Sequence, residues 1–456
     1  MRVIKQRKVL FAFVLCLLLL NGCNRMKERL VSPPLRGVAY RMEECRYWTQ
    51  KLPASQAVLL TPEDVISQNE LLMGRKDLYI FDIFNLPDAL SREEIMEMLE
   101  MSQAMLQRDH FNHLNYPMEE EKRDELTEQL NLEAIPSLKK IQWAMTLREC
   151  DIRALPTNEL AMKYESDYEF DQFQYTKIDS GEALAIIHHS SDGRWSFVTG
   201  CFFQGWIENE DIVLAEDKER VLDFFEASPF VIYTGESGHL YYDSALSIFA
   251  MKVRMGMRLP LVREEEDYIC VRIPFRGVDG YLTFTEGYLP GEASVHPDYL
   301  PFTQENIAGL AFGLLGGHYG WGGMFEGRDC SRIIFDIFRC TGLLLPRNST
   351  SQSQAGSDFI DLTQLSPAQK EALIIEKGIP FVTLLNLKGH VMLYIGNEEG
   401  KAYIIHSLWG YRENVCFKDR LRKVARVVVS DLHLGEGSKK GSLLDRLSSM
   451  TFLVNQ

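Results

Sequence analysis

The spacing of apolar residues changes along the chain and predicts a succession of different structural blocks. In the first block the apolar positions follow a helical period, as at Ile95 and Met98. Thr61, followed by proline and two acids, and Ser91, which begins a capping box, both indicate helix starts. We predict a helical N-terminal domain over residues 53–148 that serves as a cap or spacer and contributes no catalytic residue.

Short apolar runs separated by turn residues replace the helical pattern in the middle of the chain. The run 183–188 and the strand beginning at Trp195 flank an Asp-Gly turn at 192–193, which is typical of a β-hairpin. Short strands at close spacing predict two small β-barrels, one over residues 149–218 and a second, with a looser pattern, over residues 219–302.

Helices precede strands in the last block, residues 303–456. The pattern predicts one helix from Thr303, a second from near Cys330 and a third between Ser366 and Gly378. A glycine-rich loop lies between the first two. Four strands are predicted after the helices, at 381–387, 390–395, 402–408 and 424–429. Helices followed by an antiparallel sheet indicate an α+β domain, so the predicted fold class is multidomain α+β.

Composition and charge narrow the classes of function. The chain has 456 residues, 46% of them hydrophobic, and a formal net charge of −15. This is globular composition, and the acidic balance excludes nucleic acid as a broad partner, because phosphate backbones are bound by Lys and Arg. The sequence has no GxxxxGK[ST], CxxC or HExxH motif. The adjacent His188 and His189 are interpreted as strand-surface residues, not as metal ligands.

The first residues have the features of an export signal. A basic start is followed by the apolar run 9–20, which is too short to cross a bilayer and is typical of a signal-peptide core. The run ends in Leu-Asn-Gly-Cys at Cys23, which resembles the lipobox of bacterial lipoproteins. The resemblance implies a signal peptide over residues 1–22, a lipidated Cys23 and a tether over residues 23–52. It also implies a cell-envelope location, with the outer membrane favoured over the inner because Asn24 follows the lipidated cysteine.

The remaining cysteines do not form a recognisable disulfide framework. Seven remain after the leader cysteine and Cys23 are set aside, an odd and widely spaced set. Cys330 falls on an apolar helical stripe, so a plain core role is one interpretation. Asp329 is a plausible N-cap that would place Cys330 in the first helical turn, where the helix dipole favours a thiolate. Arg328 and Arg332 add positive potential beside it.

Two histidines lie on successive predicted strands, as a general base and an orienting group would need to. A four-residue loop between the strands would point His390 and His406 to opposite faces of the sheet. An odd-length loop or a β-bulge would put both imidazoles on one face, and Gly400 makes this plausible. Surface histidines or a metal pair are the alternative interpretations.

These features together are similar to known protein families. Ser-x-Asp-Gly-x-Trp at 190–195, followed by Gly-Trp-Ile at 205–207, resembles bacterial SH3-like domains of cell-wall enzymes. The last block resembles the NlpC family of papain-like cysteine peptidases, which cut bacterial cell-wall peptides. The motifs that carry this resemblance are Tyr319-x-Trp321-Gly322-Gly323, Asp329-Cys330-Ser331, Leu345-Pro346-Arg347-x-Ser349-x-x-Gln352, Gly389-His390-Val391 and Ile405-His406-Ser407.

The resemblance implies a role for each matching residue. Cys330 would be the nucleophile, His390 the general base and acid, and His406 the third, orienting residue. Substrate-binding positions are implied at Asp329, Ser331, Tyr319 and Arg332. Arg332 is a departure, since many members of the family have glycine after Asp-Cys-Ser, and this puts the detail of the substrate site in doubt.

The order of a helical cap, two SH3-like domains and a peptidase resembles γ-D-glutamyl-L-diamino acid endopeptidases. It implies hydrolysis of the γ-D-glutamyl-diaminopimelate bond in peptidoglycan peptides, favouring short fragments with a free N-terminal L-Ala. No metal or organic cofactor is expected. The alternatives are another thioester-forming amidase or acyltransferase on the same fold, and an inactive lipoprotein that only binds wall peptides. The oligomeric state and the choice between intact wall and released fragments are not readable.

The lipobox generates the first testable prediction. Cys23→Ser should release or mislocalise the protein, because the acylated thiol is lost and the tether has no basic cluster or apolar helix to replace it. Membrane fractionation of cells expressing each form measures this. An unchanged membrane fraction for the serine variant would exclude the lipid anchor.

Overall fold

The computed structural model describes residues 28–416 and 418–455. The signal peptide and Cys23 lie outside these residues. No helix in this part of the chain combines the length and the apolar character needed to cross a bilayer. The helices are α1 (Cys45–Thr49), α2 (Pro62–Leu72), α3 (Arg92–Leu106), α4 (Glu120–Gln129), α5 (Lys218–Phe225), α6 (Gln304–Gly313), α7 (Cys330–Arg339), α8 (Ser349–Gln352), α9 (Pro367–Lys377) and α10 (Leu443–Arg446).

The strands fall into three large sheets and two short pairs. The N-terminal strands are β1 (Glu28–Leu30), β2 (Val58–Leu60), β3 (Ala89–Ser91) and β4 (Leu138–Lys140). The first barrel contains β5 (Gln142–Thr146), β6 (Cys150–Arg153), β7 (Gln174–Ile178), β8 (Ala183–His189), β9 (Trp195–Gly200), β10 (Phe203–Glu208) and β11 (Ile212–Ala215). The second contains β12 (Phe230–Tyr233), β13 (Ser237–Tyr241), β14 (Phe249–Arg254), β15 (Arg258–Glu264), β16 (Tyr268–Arg276), β17 (Leu282–Pro290) and β18 (Val295–Pro297). The C-terminal strands are β19 (Phe302–Thr303), β20 (Asp358–Asp361), β21 (Thr383–Leu387), β22 (His390–Glu398), β23 (Lys401–Val415), β24 (Lys418–Asp431) and β25 (Leu447–Phe452).

The C-terminal domain is built on one sheet with the strand order β1-β24-β23-β22-β21-β25-β20. Its neighbouring strands are antiparallel, except that β1 runs parallel to β24. Helix α7 packs against β22 and β23. The predicted apolar stripe of α7 is buried against this sheet, as Ile333, Ile334 and Ile337 show. Stripe and sheet together form the largest core of the molecule.

The predicted tether, residues 23–52, is wrong over its described part. The strand β1 belongs to the C-terminal sheet, and α1 carries Trp48, which is only 1% exposed. The indole packs on Tyr403 with ring centroids 5.3 Å apart and donates a hydrogen bond of 2.8 Å to the carbonyl of Met42. Burying so large an aromatic ring ties this segment to the core of the C-terminal domain.

The helical block predicted over residues 53–148 is not a separate domain. The apolar side of α2 joins the C-terminal core through Val65 and Leu72. The apolar side of α3 packs instead on the first barrel, where Ile95 and Leu99 share a core with Trp206. The strand β5 lies within the barrel sheet, between β11 and β8, so the boundary at residue 148 divides that barrel. A short amphipathic helix is stable only when its apolar face is buried against another part of the protein. Here the C-terminal domain buries the apolar face of α2, and the first barrel buries that of α3.

The predicted class, multidomain α+β with SH3-like β domains, is confirmed. The first barrel has the strand order β11-β5-β8-β9-β10-β6-β7, and the second has β14-β13-β17-β16-β15-β12-β18. The surface interpretation of His188 is wrong: it is 2% exposed, and its Nε2 lies 3.1 Å from the carbonyl oxygens of Leu130 and Asn131. A register shift in β8 between Ile186 and His188 displaces the expected alternation.

A buried ion network joins α7 to the first barrel. Asp179 accepts hydrogen bonds of 2.8 Å from Arg332 and of 3.0 Å from Arg339. On the helix itself, Asp336 accepts hydrogen bonds of 2.6 Å from Arg332 and 2.7 Å from Arg328. Burial opposes ionisation of Asp179, but its two arginine partners hold its pKa below the usual value. The barrel is therefore fixed against the helix that begins with Cys330.

This network generates a stability prediction. Asp179→Ala should destabilise the protein by about 3–5 kcal/mol, because two buried guanidinium groups lose their shared carboxylate. Urea unfolding followed by circular dichroism measures the change. Asp77→Ala, which removes an exposed ion pair to Arg75, is the matched control and should change the free energy of unfolding far less, because solvent screens the pair. Equal effects of the two substitutions would contradict a structural role for the network.

Candidate active site

Cys330 is the first residue of α7, as the sequence predicts. Asp329 is the N-cap, and its carboxylate accepts a hydrogen bond of 2.8 Å from the backbone N–H of Arg332. The thiol is buried, with 7% of the residue exposed. The backbone of Val391 lies close enough to the thiol to favour its ionised form. The start of α7 and the start of β22 therefore meet at Cys330.

The capping carboxylate of Asp329 is held from several sides. Arg347 binds both of its oxygens, at 2.9 and 2.8 Å, and the hydroxyl of Ser331 and the N–H of Gly322 donate to it as well. Burial opposes its ionisation, but Arg347 keeps its pKa below the usual value. Its acceptor sites are thus largely filled within the protein. Direct contact of Asp329 and Ser331 with substrate stays a prediction, although both line the cleft described below.

A β-bulge puts the two predicted histidines on one face of the sheet. Leu393 pairs with Ile405, but the register shifts after Tyr394, and the strands then continue to a tight turn at residues 399–400. Both turn residues have positive φ, 50° and 76°. The extra residue at the bulge aligns the imidazoles diagonally, and Nε2 of His390 lies 2.8 Å from Nδ1 of His406.

A further residue, which the sequence reasoning missed, extends this pair. Nε2 of His406 lies 3.2 Å from the hydroxyl oxygen of Ser430, and both residues are fully buried. Ser430 lies on β24, where it pairs with Ile404 on β23. Its position beside a histidine depends on the pairing of these two strands. No local motif around Ser430 could have identified it.

Burial controls the protonation of the site. It lowers the pKa of His390 to about 4, with a further contribution from the charge of Arg446, and lowers that of His406 well below its usual value. Burial and the neighbouring charge of Asp329 raise the pKa of the Cys330 thiol to about 12. Desolvation thus opposes the thiolate that the helix N-terminus and Arg347 favour. In the free protein, burial favours the neutral forms of both the thiol and the imidazole.

Cys330 and His390 line a cleft of about 840 Å³. Tyr319 and Ser331 line it from the same domain, and burial raises the pKa of the Tyr319 phenol above its usual range. The opposite wall comes from elsewhere in the chain and carries residues of the first barrel and of α3: Phe170, Gln172, Gln174, Tyr175, Met101 and Met105. The sequence did not single out the individual residues of this wall.

The glycine-rich loop lines the cleft and also packs on the first barrel. Gly322 and Gly323 have φ of 55° and 87°, and a Cβ on either would lie 2.8 Å or less from Gln174 or Lys177 of the first barrel. The preceding Trp321 donates a hydrogen bond of 3.0 Å from its indole N–H to the carbonyl of Asp171. Glycine is needed here because the loop lies directly on β7.

Arg332 is wrong as a substrate-binding residue. Its guanidinium points away from the cleft and is held by Asp179, Asp336 and the carbonyl of Lys177. With all its polar partners inside the protein, the side chain serves the contact between α7 and the first barrel. This explains why an arginine replaces a small residue at this position without closing the cleft.

Comparison with known proteins agrees with this geometry. Residues 316–415 match the NlpC/P60 family, and residues 161–208 match the SH3 domain of the SH3b1 type. The chain carries an NlpC/P60 domain. NlpC/P60 is a family of cysteine peptidases and peptidoglycan hydrolases. The matched segment runs from the loop before Cys330 to the strand that contains His406, so it includes the cysteine and both histidines.

Two relatives extend the comparison beyond the NlpC/P60 domain. A γ-D-glutamyl-L-lysine dipeptidyl-peptidase of Bacillus subtilis (strain 168) is 28% identical over 149 residues, which are 32% of this chain and 40% of that protein. This chain thus matches less than half of that relative's length. An NlpC/P60 endopeptidase of Photobacterium damselae subsp. piscicida has a similar structure, with a TM-score of 0.76 at 18% identity, over 93% of this chain and 99% of that one. This likeness shows a shared fold.

The pKa of Cys330 generates a prediction for the free protein. Alkylation of this thiol by iodoacetamide should rise about tenfold per pH unit from about pH 7 to pH 9, because the thiolate fraction grows tenfold per unit below the pKa. Mass spectrometry of the peptide that contains Cys330 measures the rate, and Cys330→Ala identifies the signal. A rate that is already constant near neutral pH would show a preformed thiolate and contradict the raised pKa.

Proposed function

We propose that this protein is a cysteine endopeptidase that hydrolyses the bond between the γ-carboxyl of D-Glu and diaminopimelate in peptidoglycan peptides. The observation that carries the proposal is the position of Cys330 in one cleft with a hydrogen-bonded row of His390, His406 and Ser430. The Bacillus relative is named for a γ-D-glutamyl bond to L-lysine, and this supports the γ-D-glutamyl side of the bond that we propose but not its diaminopimelate side. We also propose that the chain is lipid-anchored in the cell envelope through Cys23.

One set of tautomers in the hydrogen-bonded row leaves His390 free to act as a base. If Nε2–H of His390 donates to Nδ1 of His406, and Nε2–H of His406 donates to Ser430, Nδ1 of His390 keeps a free lone pair. This lone pair can take the proton of Cys330. Because thiol and imidazole are both neutral at rest, the proton moves to His390 as the sulfur attacks the amide carbon.

The start of α7 suits the charge that develops during this attack. The first N–H groups of a helix have no partner within the helix, and the N–H of Cys330 lies at this end. Such a donor can stabilise the oxyanion of the tetrahedral intermediate, and loss of one typically raises the barrier by about 2.7–4 kcal/mol. His390 then protonates the leaving amine, and water hydrolyses the thioester of Cys330.

The wall of the cleft favours short substrates. Phe170 and Tyr175 of the first barrel and Met101 of α3 line the same cleft as Cys330 and limit the space in it. A peptide that continued far beyond the D-Glu residue toward these side chains would collide with them. We therefore propose released fragments with a free N-terminal L-Ala, not intact wall, as the substrate.

Variants of the row test the proposed roles. Cys330→Ala should abolish hydrolysis of L-Ala-γ-D-Glu-meso-diaminopimelate, because no other group can form the acyl-enzyme, and Cys330→Ser should be nearly as inactive. His390→Ala should be similarly severe, whereas His406→Ala should be milder because it orients the base. Release of the free diamino acid, followed by mass spectrometry, measures each rate.

Cys340→Ala is the matched control. Cys340 lies at the other end of α7, and its thiol donates to the carbonyl oxygen of Asp336, away from the cleft. The variant should keep its activity and lose only some packing, which circular dichroism can check. An inactive Cys340→Ala beside an active Cys330→Ala would refute the assignment. Transfer of the acyl group to an added amine in preference to water would instead favour an acyltransferase.

A further inference from the structure

A group of positive side chains lies at one end of the cleft, next to His390. Lys388, Lys440 and Arg446 line the cleft together with this histidine. Arg446 ends α10, directly before β25, and Lys388 lies in the turn between β21 and β22. The charges of Arg446 and Lys440 both contribute to the lowered pKa of His390, so both act on the imidazole from close by.

Within the described residues, Arg446 and Lys440 are compensated only in part, by the charge of Asp445 next to Arg446. Among residues 28–416 and 418–455, neither side chain forms an ion pair with a carboxylate. The Nε–H of Arg446 donates to the carbonyl of Ser442, and the adjacent Asp445 is occupied by the backbone and hydroxyl of the same serine. Burial and the charge of Arg446 lower the pKa of Lys440. Two positive charges, one on the half-buried Arg446 and one on the exposed Lys440, thus lie close together.

Three arginines near Cys330 differ from this pair. Arg328, Arg332 and Arg347 each form a buried ion pair, with Asp336, Asp179 and Asp329 respectively. The sequence pointed to Arg328 and Arg332 as the positive charges beside Cys330, but the charges of all three arginines are already balanced by these carboxylates. Among the described residues that line the cleft, Glu100 and the paired Asp329 are the two acids. Its end near His390 is therefore net positive.

The cleft continues past these two cations. A second cavity of about 390 Å³ shares Lys440 and Arg446 with the cleft and is also lined by Trp409 and Tyr411. The two cations thus lie where the two spaces join. A substrate group that reached beyond His390 would pass between them.

We propose that Lys440 and Arg446 form a subsite for a carboxylate on the leaving group of the substrate. The inference rests on the proposed function, in which His390 protonates the leaving amine and the leaving diamino acid consequently lies on the His390 side. Diaminopimelate carries a second carboxylate at the far end of its side chain, where lysine has none. The subsite selects a leaving group with this distal carboxylate over one that ends in an amine alone.

The first test compares two substrates that differ in this group. The protein should hydrolyse L-Ala-γ-D-Glu-meso-diaminopimelate with a kcat/KM at least about tenfold above that for L-Ala-γ-D-Glu-L-Lys, since hydrogen bonds to charged groups contribute about 1.5–3 kcal/mol. The diaminopimelate peptide with its distal carboxylate amidated should behave like the lysine peptide. Equal hydrolysis of all three would overturn the subsite and leave the proposed function intact.

Variants assign the selectivity to the two residues. Arg446→Gln and Lys440→Gln should each raise KM for the diaminopimelate peptide several-fold and change KM for the lysine peptide little. Arg446→Lys keeps the charge and should restore part of the selectivity. Lys439→Gln removes an exposed cation that lines neither cavity, and it should behave as wild type. Selectivity retained in both glutamine variants, with unchanged thermal unfolding, would refute the assignment.

A binding measurement separates this inference from the proposed chemistry. Isothermal titration of Cys330→Ala with the two peptides requires no turnover, and the diaminopimelate peptide should bind about tenfold more tightly. If wild type hydrolyses neither peptide, the proposed function fails, and the titration still decides the subsite. Equal affinities for the two peptides would overturn it.

Discussion

The contact between Asp179 and the arginines of α7 fixes the geometry on which the candidate site depends. One carboxylate of the first barrel binds Arg332 and Arg339, which lie on the same helix as Cys330. A buried charge that lost its partner would cost several kcal/mol, so barrel and helix cannot shift independently. The barrel thereby stays where Phe170, Gln174 and Tyr175 form the far wall of the cleft. The glycine-rich loop also packs on β7, and this is a second contact that fixes the first barrel against the C-terminal domain.

Burial has a second consequence at the reacting groups. The walls that enclose the cleft also desolvate Cys330 and His390, so the neutral forms of both are favoured in the free protein. The cations at the His390 end act in the same direction on the imidazole. A substrate carboxylate bound there would offset their charge and so make the protonated imidazole easier to form. Binding and proton transfer would then be coupled through the electrostatics of one cleft.

The sequence predicted local features well where they depend on neighbouring residues. The caps at Thr61, Ser91 and Asp329 form as expected, since a capping side chain and its N–H partner lie within three residues. From the sequence, His390 and His406 could share one face of the sheet only with an odd-length loop or a β-bulge between them. The bulge in β22 meets this condition. The predictions of a tether and of a separate helical domain are wrong, because no local feature of the sequence indicates which domain will bury Trp48 or α3.

The sequence by itself determined the order of the domains, the residue that begins α7 and the two histidines, because these follow from short motifs and from the period of the apolar positions. Only the tertiary structure decided the partners of each charge. Arg332 belongs to a domain contact and Arg446 to the cleft, yet in the sequence the first lies beside Cys330 and the second more than a hundred residues away. Ser430 joins the histidines only because β24 pairs with β23. Charges and hydrogen bonds act through distance in space, and only the folded chain determines that distance.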